Sequence, residues 1–169
     1  MTREGKGTLI MEEKKNTNRL RYGTKEEWIK WYEEKSGDTF VMKANAALYF
    51  QAKRGIMVCR LTGDSQESML VIDYVIGDGK FWYDFAEIIA VMWNCRCIGT
   101  ICTRHIESYI RFWDGRIVKK WVQEGQKRFL AKDRRGRYGT LTYRGKDDIT
   151  GKDTYLAILY LNPGDKPNL

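Results

Sequence analysis

No apolar stretch in this sequence approaches the length of a membrane span. The longest, such as Ile88 to Trp93, fall far short of the roughly 18 residues a transmembrane helix needs, so no bilayer crossing is expected. Met1 to Asn18 is rich in Lys, Glu, Gly and Thr and lacks the apolar core and small-residue cleavage site of a secretory signal, which implies a cytoplasmic protein. Cysteine is sparse as well: Cys59, Cys95, Cys97 and Cys102 make no dense disulfide framework, and three of them interrupt one apolar run, as buried reduced thiols do. Cys95-x-Cys97-x4-Cys102-x2-His105 holds four residues able to ligate zinc within eleven positions. A strand through that run points Cys95 and Cys97 to one face and Cys102 to the other, which gathers no tetrahedron, so no metal site is expected. With a single histidine and no clustered Asp/Glu motif, a metal-dependent nuclease is disfavoured. Internal repeats and low-complexity segments are absent too.

What is present suffices for one core. The 169 residues are 43% hydrophobic and 13% aromatic, the size and composition of a single domain. A 31% charged content with a mean hydropathy of −0.55 describes a water-facing surface. The net charge is +8, and its distribution is uneven: residues 111–169 carry fourteen Lys and Arg against seven Asp and Glu, whereas residues 71–110 carry three against five. A positive field in the last third suits phosphate-bearing partners, although a charge run is also what a solvated face looks like.

Residues 1–23 show no sustained apolar period and read as a flexible arm, with the folded domain spanning 24–169. Thr24-x-x-Glu27 reads as a capping box, and Trp28, Trp31 and Tyr32 follow at i, i+3, i+4, a short amphipathic helix that Gly37 ends, its tryptophans in the core. Phe40–Met42, Ala46–Gln51 and Ile56–Leu61 read as strands, the last two a hairpin around Lys53-Arg54-Gly55; a polar turn, Gly63–Ser68, leads into the most apolar strand, Ser68–Ile76. Gly77-Asp78-Gly79-Lys80 breaks that strand. Phe81, Phe85, Ile88, Ile89 and Met92 then recur at i, i+4, i+7, i+8, i+11, predicting a helix with one wide buried face. Cys97–Cys102 is a strand, Thr103-Arg104-His105 a turn, and Ile106, Tyr109, Ile110 and Trp113 again have helical spacing. Two consecutive strands joined by a helix lie parallel. Ile117–Gln123, Arg128–Lys132, Tyr138–Tyr143 and Tyr155–Leu161 complete an α+β (mixed α/β) chain, a central mixed sheet flanked by helices.

This order of elements over Thr24–Leu161 resembles the GNAT acetyltransferase superfamily. The strand Leu70–Ile76, the helix Trp82–Trp93, and Asn94-Cys95 leading through Ile98 to Thr103-Arg104 look most like its divergent bacteriophage members. The resemblance implies acetyl-CoA as cofactor and an amine as acceptor. It implies a cofactor site at the strand-to-helix turn, Val75, Gly77, Gly79 and Lys80, where backbone N–H groups at a helix start hold a pyrophosphate. Here the family's Gln/Arg-x-x-Gly-x-Gly/Ala is reduced to Gly-x-Gly, which a plain strand-to-helix turn would also show. For catalysis it implies Asp73 and Tyr109, toward the amine and the departing thiolate respectively. Read from the residues alone, Asp73 in an apolar strand must be partnered, neutralised or functional, Tyr109 suits core packing, and His105 is a turn residue.

A second class of function remains open, a catalytically silent scaffold that binds nucleic acid or a host protein through the basic last third. Lys119-Lys120-Trp121, Lys127-Arg128-Phe129, Arg134-Arg135-Gly-Arg137-Tyr138 and Tyr143-Arg144 interleave cations with rings. Strand alternation sends many of those rings inward. The hairpin tip Lys132, Arg134, Arg135, Arg137 is expected to be exposed and to be the nucleic-acid contact.

Overall fold

Local sequence signals and long-range packing meet in an α+β architecture built on a mixed sheet. The computed structural model describes residues 22–63, 68–103 and 105–167. The arm expected up to residue 21, residues 64–67 of the polar turn, and Arg104 lie outside the described residues. The elements are α1 (Lys25–Ser36), β1 (Ala47–Gln51), β2 (Gly55–Thr62), β3 (Met69–Gly77), α2 (Gly79–Met92), β4 (Cys97–Cys102), α3 (Ile106–Phe112), β5 (Gly115–Gln123), β6 (Gln126–Asp133), β7 (Tyr138–Lys146) and β8 (Asp153–Tyr160). The strands run in the order β1-β2-β3-β4-β8-β7-β6-β5 in one eight-stranded sheet. By their internal contacts the described residues divide into two compact units, one of residues 22–59 with 74–83, the other drawn from residues 60–73 with 84–167.

In the first unit, α1 begins as the capping box requires. The Thr24 N–H donates to Glu27 Oε1 at 2.8 Å and the Glu27 N–H donates to Thr24 Oγ1 at 3.1 Å, which satisfies two of the donors a helix start leaves open. Gly37 ends the helix in the left-handed conformation, φ 76°. Trp28 is fully buried with Ile56, Val58 and Ile76, and its indole N–H donates to the Ala52 carbonyl at 2.9 Å. β1 and β2 form the expected hairpin, with Ala47 opposite Cys59 and Gln51 opposite Gly55. Phe40–Met42 is not a strand. Side chains take its backbone donors instead: the Phe40 N–H reaches the Glu33 carboxylate at 2.8 Å and the Val41 N–H reaches the Tyr74 hydroxyl at 3.2 Å. Phe40 still contributes apolar packing, its ring against Tyr74.

The second unit holds the parallel pair that the strand-helix-strand order predicts. Met69–Ile72 of β3 run alongside Cys97–Thr100 of β4, and the Thr100 hydroxyl adds a hydrogen bond to the Ile72 carbonyl at 3.1 Å. The other edge of β4 takes β8 antiparallel, from Cys97 opposite Tyr160 to Cys102 opposite Tyr155. The chain returns to β4 only after a meander through β5, β6 and β7. On α3, Ile106, Tyr109, Ile110 and Trp113 are all buried, as their spacing predicts. The Trp113 indole lies so close to Gly139 of β7 that any Cβ there would strike it. A ring can rest directly on the sheet only where the strand presents no side chain.

Helix α2 is rotated from expectation. Its buried residues are Trp82, Tyr83, Ala86, Ile89 and Ala90, while Ile88 and Met92, expected inside, are 57% and 73% exposed. Apolar residues occur on nearly every side of Gly79–Met92, so periodicity identifies a helix and leaves its phase to packing. Ala86 and Ala90, one turn apart on the buried face, permit a close approach that larger residues would prevent.

Candidate functional site

The strand-to-helix turn named by the sequence is built around Arg54. The Arg54 carbonyl accepts from the Asp78 N–H at 2.9 Å and from the Trp82 indole N–H at 2.8 Å. Its guanidinium pairs with the Asp78 carboxylate and stacks over Phe81. Asp78 Oδ1 in turn accepts from the Phe81 N–H at 3.1 Å, capping α2. Gly77, at φ 108°, lies against the Arg54 carbonyl so closely that a Cβ would collide with it. That close approach gives this glycine a structural reason of its own. Gly79 and Lys80 open the first turn of α2 and Val75 is exposed on β3. The turn carries Arg54 and Lys80 beside Asp78 and two residues without side chains.

Asp73 has the partner its apolar strand demands. Arg60 Nε donates to both carboxylate oxygens, at 3.1 and 3.0 Å, so the charge is compensated rather than left in a poorly solvated strand. Tyr109 is buried on α3, its ring edge-on to Trp113 with centroids 5.1 Å apart.

At the β6–β7 turn, Arg137 departs from expectation, being only 7% exposed. Its Nε donates to Asp133 Oδ2 at 2.7 Å and its Nη1 to Glu87 Oε1 at 2.8 Å. Arg135 Nη2 reaches the same Glu87 oxygen at 2.9 Å, and the Arg135 and Arg137 N–H groups both donate to Asp133 Oδ1. Burial favours the neutral form of the Arg137 guanidinium, but the hydrogen bonds it donates to Glu87 and Asp133 outweigh that and raise it above its usual range. Two carboxylates that are distant and close in sequence, respectively, thus draw an arginine inward. Lys132 lies over the Tyr138 ring, and Arg134 and Arg135 remain exposed. The tip is an ion-pair network with an exposed edge, not a free basic loop.

A lysine-lined cleft of about 1000 Å³ is the cavity that single-residue reading did not find. Thr103 and residues 105–108, Ile117 and Lys120 of β5, Phe129 of β6, Lys146 at the end of β7, and residues 151–153 with Tyr155 line it. Ile106, Ile117, Phe129 and Tyr155 supply an apolar floor, with the Phe129 and Tyr155 rings edge-to-face at 6.2 Å. Glu107 accepts from or shares a proton with His105 Nδ1 at 2.7 Å, a contact that holds its carboxyl below the usual range. Lys146 Nζ donates to Asp153 Oδ1 at 2.8 Å, which raises the ammonium's pKa and lowers the carboxyl's. Burial pushes the Tyr155 phenol up. Both rim carboxylates are therefore engaged, whereas among the described residues Lys120 and Lys152 have no carboxylate within ion-pair distance.

The turn that carries Lys152 is pinned. Asp147 Oδ2 accepts from the Thr150 N–H and hydroxyl at 2.7 and 2.8 Å, and the Asp147 N–H donates to the Lys152 carbonyl at 2.7 Å. The contributing segments span more than fifty residues of sequence, and only the strand register gathers them. Past the irregularity between Ile117 and Lys119, that register sets Lys120 opposite Phe129, a cation beside a ring on one face. Among the described residues no group of three or more His, Cys, Asp or Glu side chains is placed to hold a metal ion, and all four cysteines are buried and unpaired with one another.

Fold and site together define an α+β protein with a positively charged, aromatic-floored cleft. No family model, curated protein or solved structure matches the chain.

Proposed function

We propose that this protein is a GNAT-like acyltransferase that carries an acetyl group from acetyl-CoA to an amine. The observation that carries this reading is the parallel β3–β4 pair, entered through the Gly77–Lys80 turn and α2, with the final strand antiparallel on the other edge of β4. That sequence of connections is the one the resemblance implies. When bound, the cofactor would supply the acyl group as a thioester, an acylating agent whose sulfur departs more readily than an amine nitrogen. Arg54, Lys80 and the backbone of Gly77–Lys80 are the groups of this chain that fit its pyrophosphate, with Asp78 balanced by Arg54. Asp73, which Arg60 Nε bonds at 3.1 and 3.0 Å, is the carboxylate that the resemblance assigns toward the amine. The Tyr109 hydroxyl is the acid that the resemblance assigns. A calorimetric titration with acetyl-CoA tests the reading: binding in the micromolar to low millimolar range is expected, with Gly79→Pro weakening it about tenfold or more by deleting an N–H and fixing φ. No heat at millimolar cofactor overturns it. Bound at 100 times its Kd, the cofactor would also stabilise the fold by about 2.7 kcal/mol.

A second reading, nucleic-acid binding, is favoured by one specific feature of the β5–β6 arm. The Trp121 ring carries two cations, Lys119 Nζ at 5.1 Å and the Arg128 guanidinium at 5.5 Å, and Arg128 is further held by Gln123 and Thr142. A ring flanked by cations can stack on an unpaired base while its neighbours meet phosphates. Gel shifts with single-stranded oligonucleotides over a salt series are expected to show a slope that flattens by about two when Lys119, Lys127 and Arg128 become Gln, since each single-strand phosphate contact contributes about 0.7. An unchanged slope removes the arm from consideration.

A further inference from the structure

We propose that the lysine-lined cleft is a binding site for a nucleoside phosphate. The inference does not depend on acyl transfer and uses none of the residues assigned to it. Charge indicates an anion. Three lysines, Lys120, Lys146 and Lys152, line the cleft with two carboxylates, Glu107 and Asp153. His105 engages Glu107 and Lys146 engages Asp153. Three lysines against two carboxylates leave a single positive charge over, with Lys120 already acting on Glu107, and ammonium groups are compact charges suited to phosphate oxygens.

The floor narrows the class. A bare inorganic anion has no use for Ile106, Ile117, Phe129 and Tyr155, which form an apolar surface with two aromatic rings. A flat ring joined to a phosphate uses both halves of the cleft, the lysines and the floor. A fatty acid would fit the floor and the lysines but not the remaining rim, where the Glu107 and Asp153 oxygens and the Thr103 and Ser108 hydroxyls are hydrogen-bonding groups. Those acceptors suit the hydroxyls of a sugar and the exocyclic amine of a base. At about 1000 Å³ the space lies at the upper end of the roughly 300–1,000 Å³ typical of ligand sites, larger than one nucleotide requires, which leaves room for a nucleotide within a strand.

Preorganisation is the third observation. Lys152 follows a turn that the Asp147 carboxylate and backbone close on both sides, with the Gly151 N–H donating to the Asp147 carbonyl at 2.8 Å. The Thr150 hydrogen bonds hold the Asp147 carboxyl below its usual range. An ammonium carried on such a turn loses less freedom on binding than one on a loose loop.

The shared chemistry, a nucleoside phosphate, could come from a free nucleotide or from the end or interior of a single strand, and the experiment separates them. Full-length protein is titrated calorimetrically with AMP, adenosine, inorganic phosphate and a 5′-phosphorylated oligo(dA), and with the same probes after Lys120→Met with Lys152→Gln. Both lysines are exposed, so the paired variant is expected to fold; far-UV circular dichroism and the thermal midpoint verify it. AMP or the oligonucleotide is expected to bind at least tenfold more tightly than adenosine or phosphate, and the variant is expected to erase most of that advantage while leaving adenosine unchanged. Competition of the oligonucleotide by AMP identifies a free nucleotide as sufficient, and tight oligonucleotide binding that AMP cannot displace identifies a strand. No binding of either at millimolar concentration, phosphate as good as AMP, or indifference to the lysine variant each overturns the proposal. Acetyl-CoA is titrated in parallel into wild type and the lysine variant: because it carries an adenosine phosphate itself, its failure to bind the lysine variant, with AMP binding to wild type intact, overturns the transferase reading alone.

Discussion

Replacing Arg137 by methionine is expected to lower stability by about 3–5 kcal/mol, the usual cost of removing one partner from a buried ion pair. Methionine approximates the stem of arginine, so the loss comes from the charge and its hydrogen bonds rather than from a void. Asp133, with only 4% of its side chain exposed, would keep a full negative charge and lose the guanidinium at 2.7 Å. Glu87 would retain Arg135 alone. For a chain of this size each kcal/mol lowers Tm by about 2–4 °C, so a fall of roughly 10 °C or more should appear in a thermal melt. Arg134→Ala, an exposed neighbour on the same turn, is expected to stay within about 0.5 kcal/mol. A double-mutant cycle with Asp133→Asn should return a coupling energy above about 1 kcal/mol. Equal, small effects at 134 and 137 would mean that water screens the network and that the tip behaves as an exposed basic loop.

Gly77→Ala is expected to cost about 3 kcal/mol or more. Two penalties combine there. An alanine at φ 108° is strained by roughly 1–3 kcal/mol, and its Cβ would collide with the Arg54 carbonyl, forcing apart a turn held by the Asp78 and Trp82 donors at a further cost of roughly 1–3 kcal/mol. Gly125→Ala is the internal control, because Gly125 also has a positive φ, 79°, but open space where the Cβ would go. Roughly 1 kcal/mol is expected there. Urea titration of both variants separates strain from collision, and equal losses at the two positions would show that the contact with Arg54 contributes nothing.

The sequence by itself determined what depends on neighbours a few residues away. Thr24 and Glu27 are three apart, Gly37 needs only its own backbone, and the hairpin around Lys53–Gly55 closes over a handful of residues, so each was legible from short-range chemistry. The buried set Ile106, Tyr109, Ile110 and Trp113 was legible for a related reason: a clear period with one apolar face leaves a single way to bury it. Tertiary structure decided the rest. Helix α2 is apolar all round, so the choice of Ala86 and Ala90 over Ile88 and Met92 as buried residues was made by what packs there. Phe40–Met42 has strand-like residues, yet its backbone donors are met by Glu33 and Tyr74, the latter more than thirty residues away. The strand showed that Asp73 must be partnered, neutralised or functional, but only the fold brings Arg60 to it. Arg137 is charged and flanks a glycine, which locally means exposure, and it is Glu87, fifty residues earlier, that joins Asp133 in drawing it inside. The cleft is the extreme case, because Lys120, Phe129 and Lys152 become neighbours solely through the β5–β8 register, and no local term in the sequence encodes a register across separate strands.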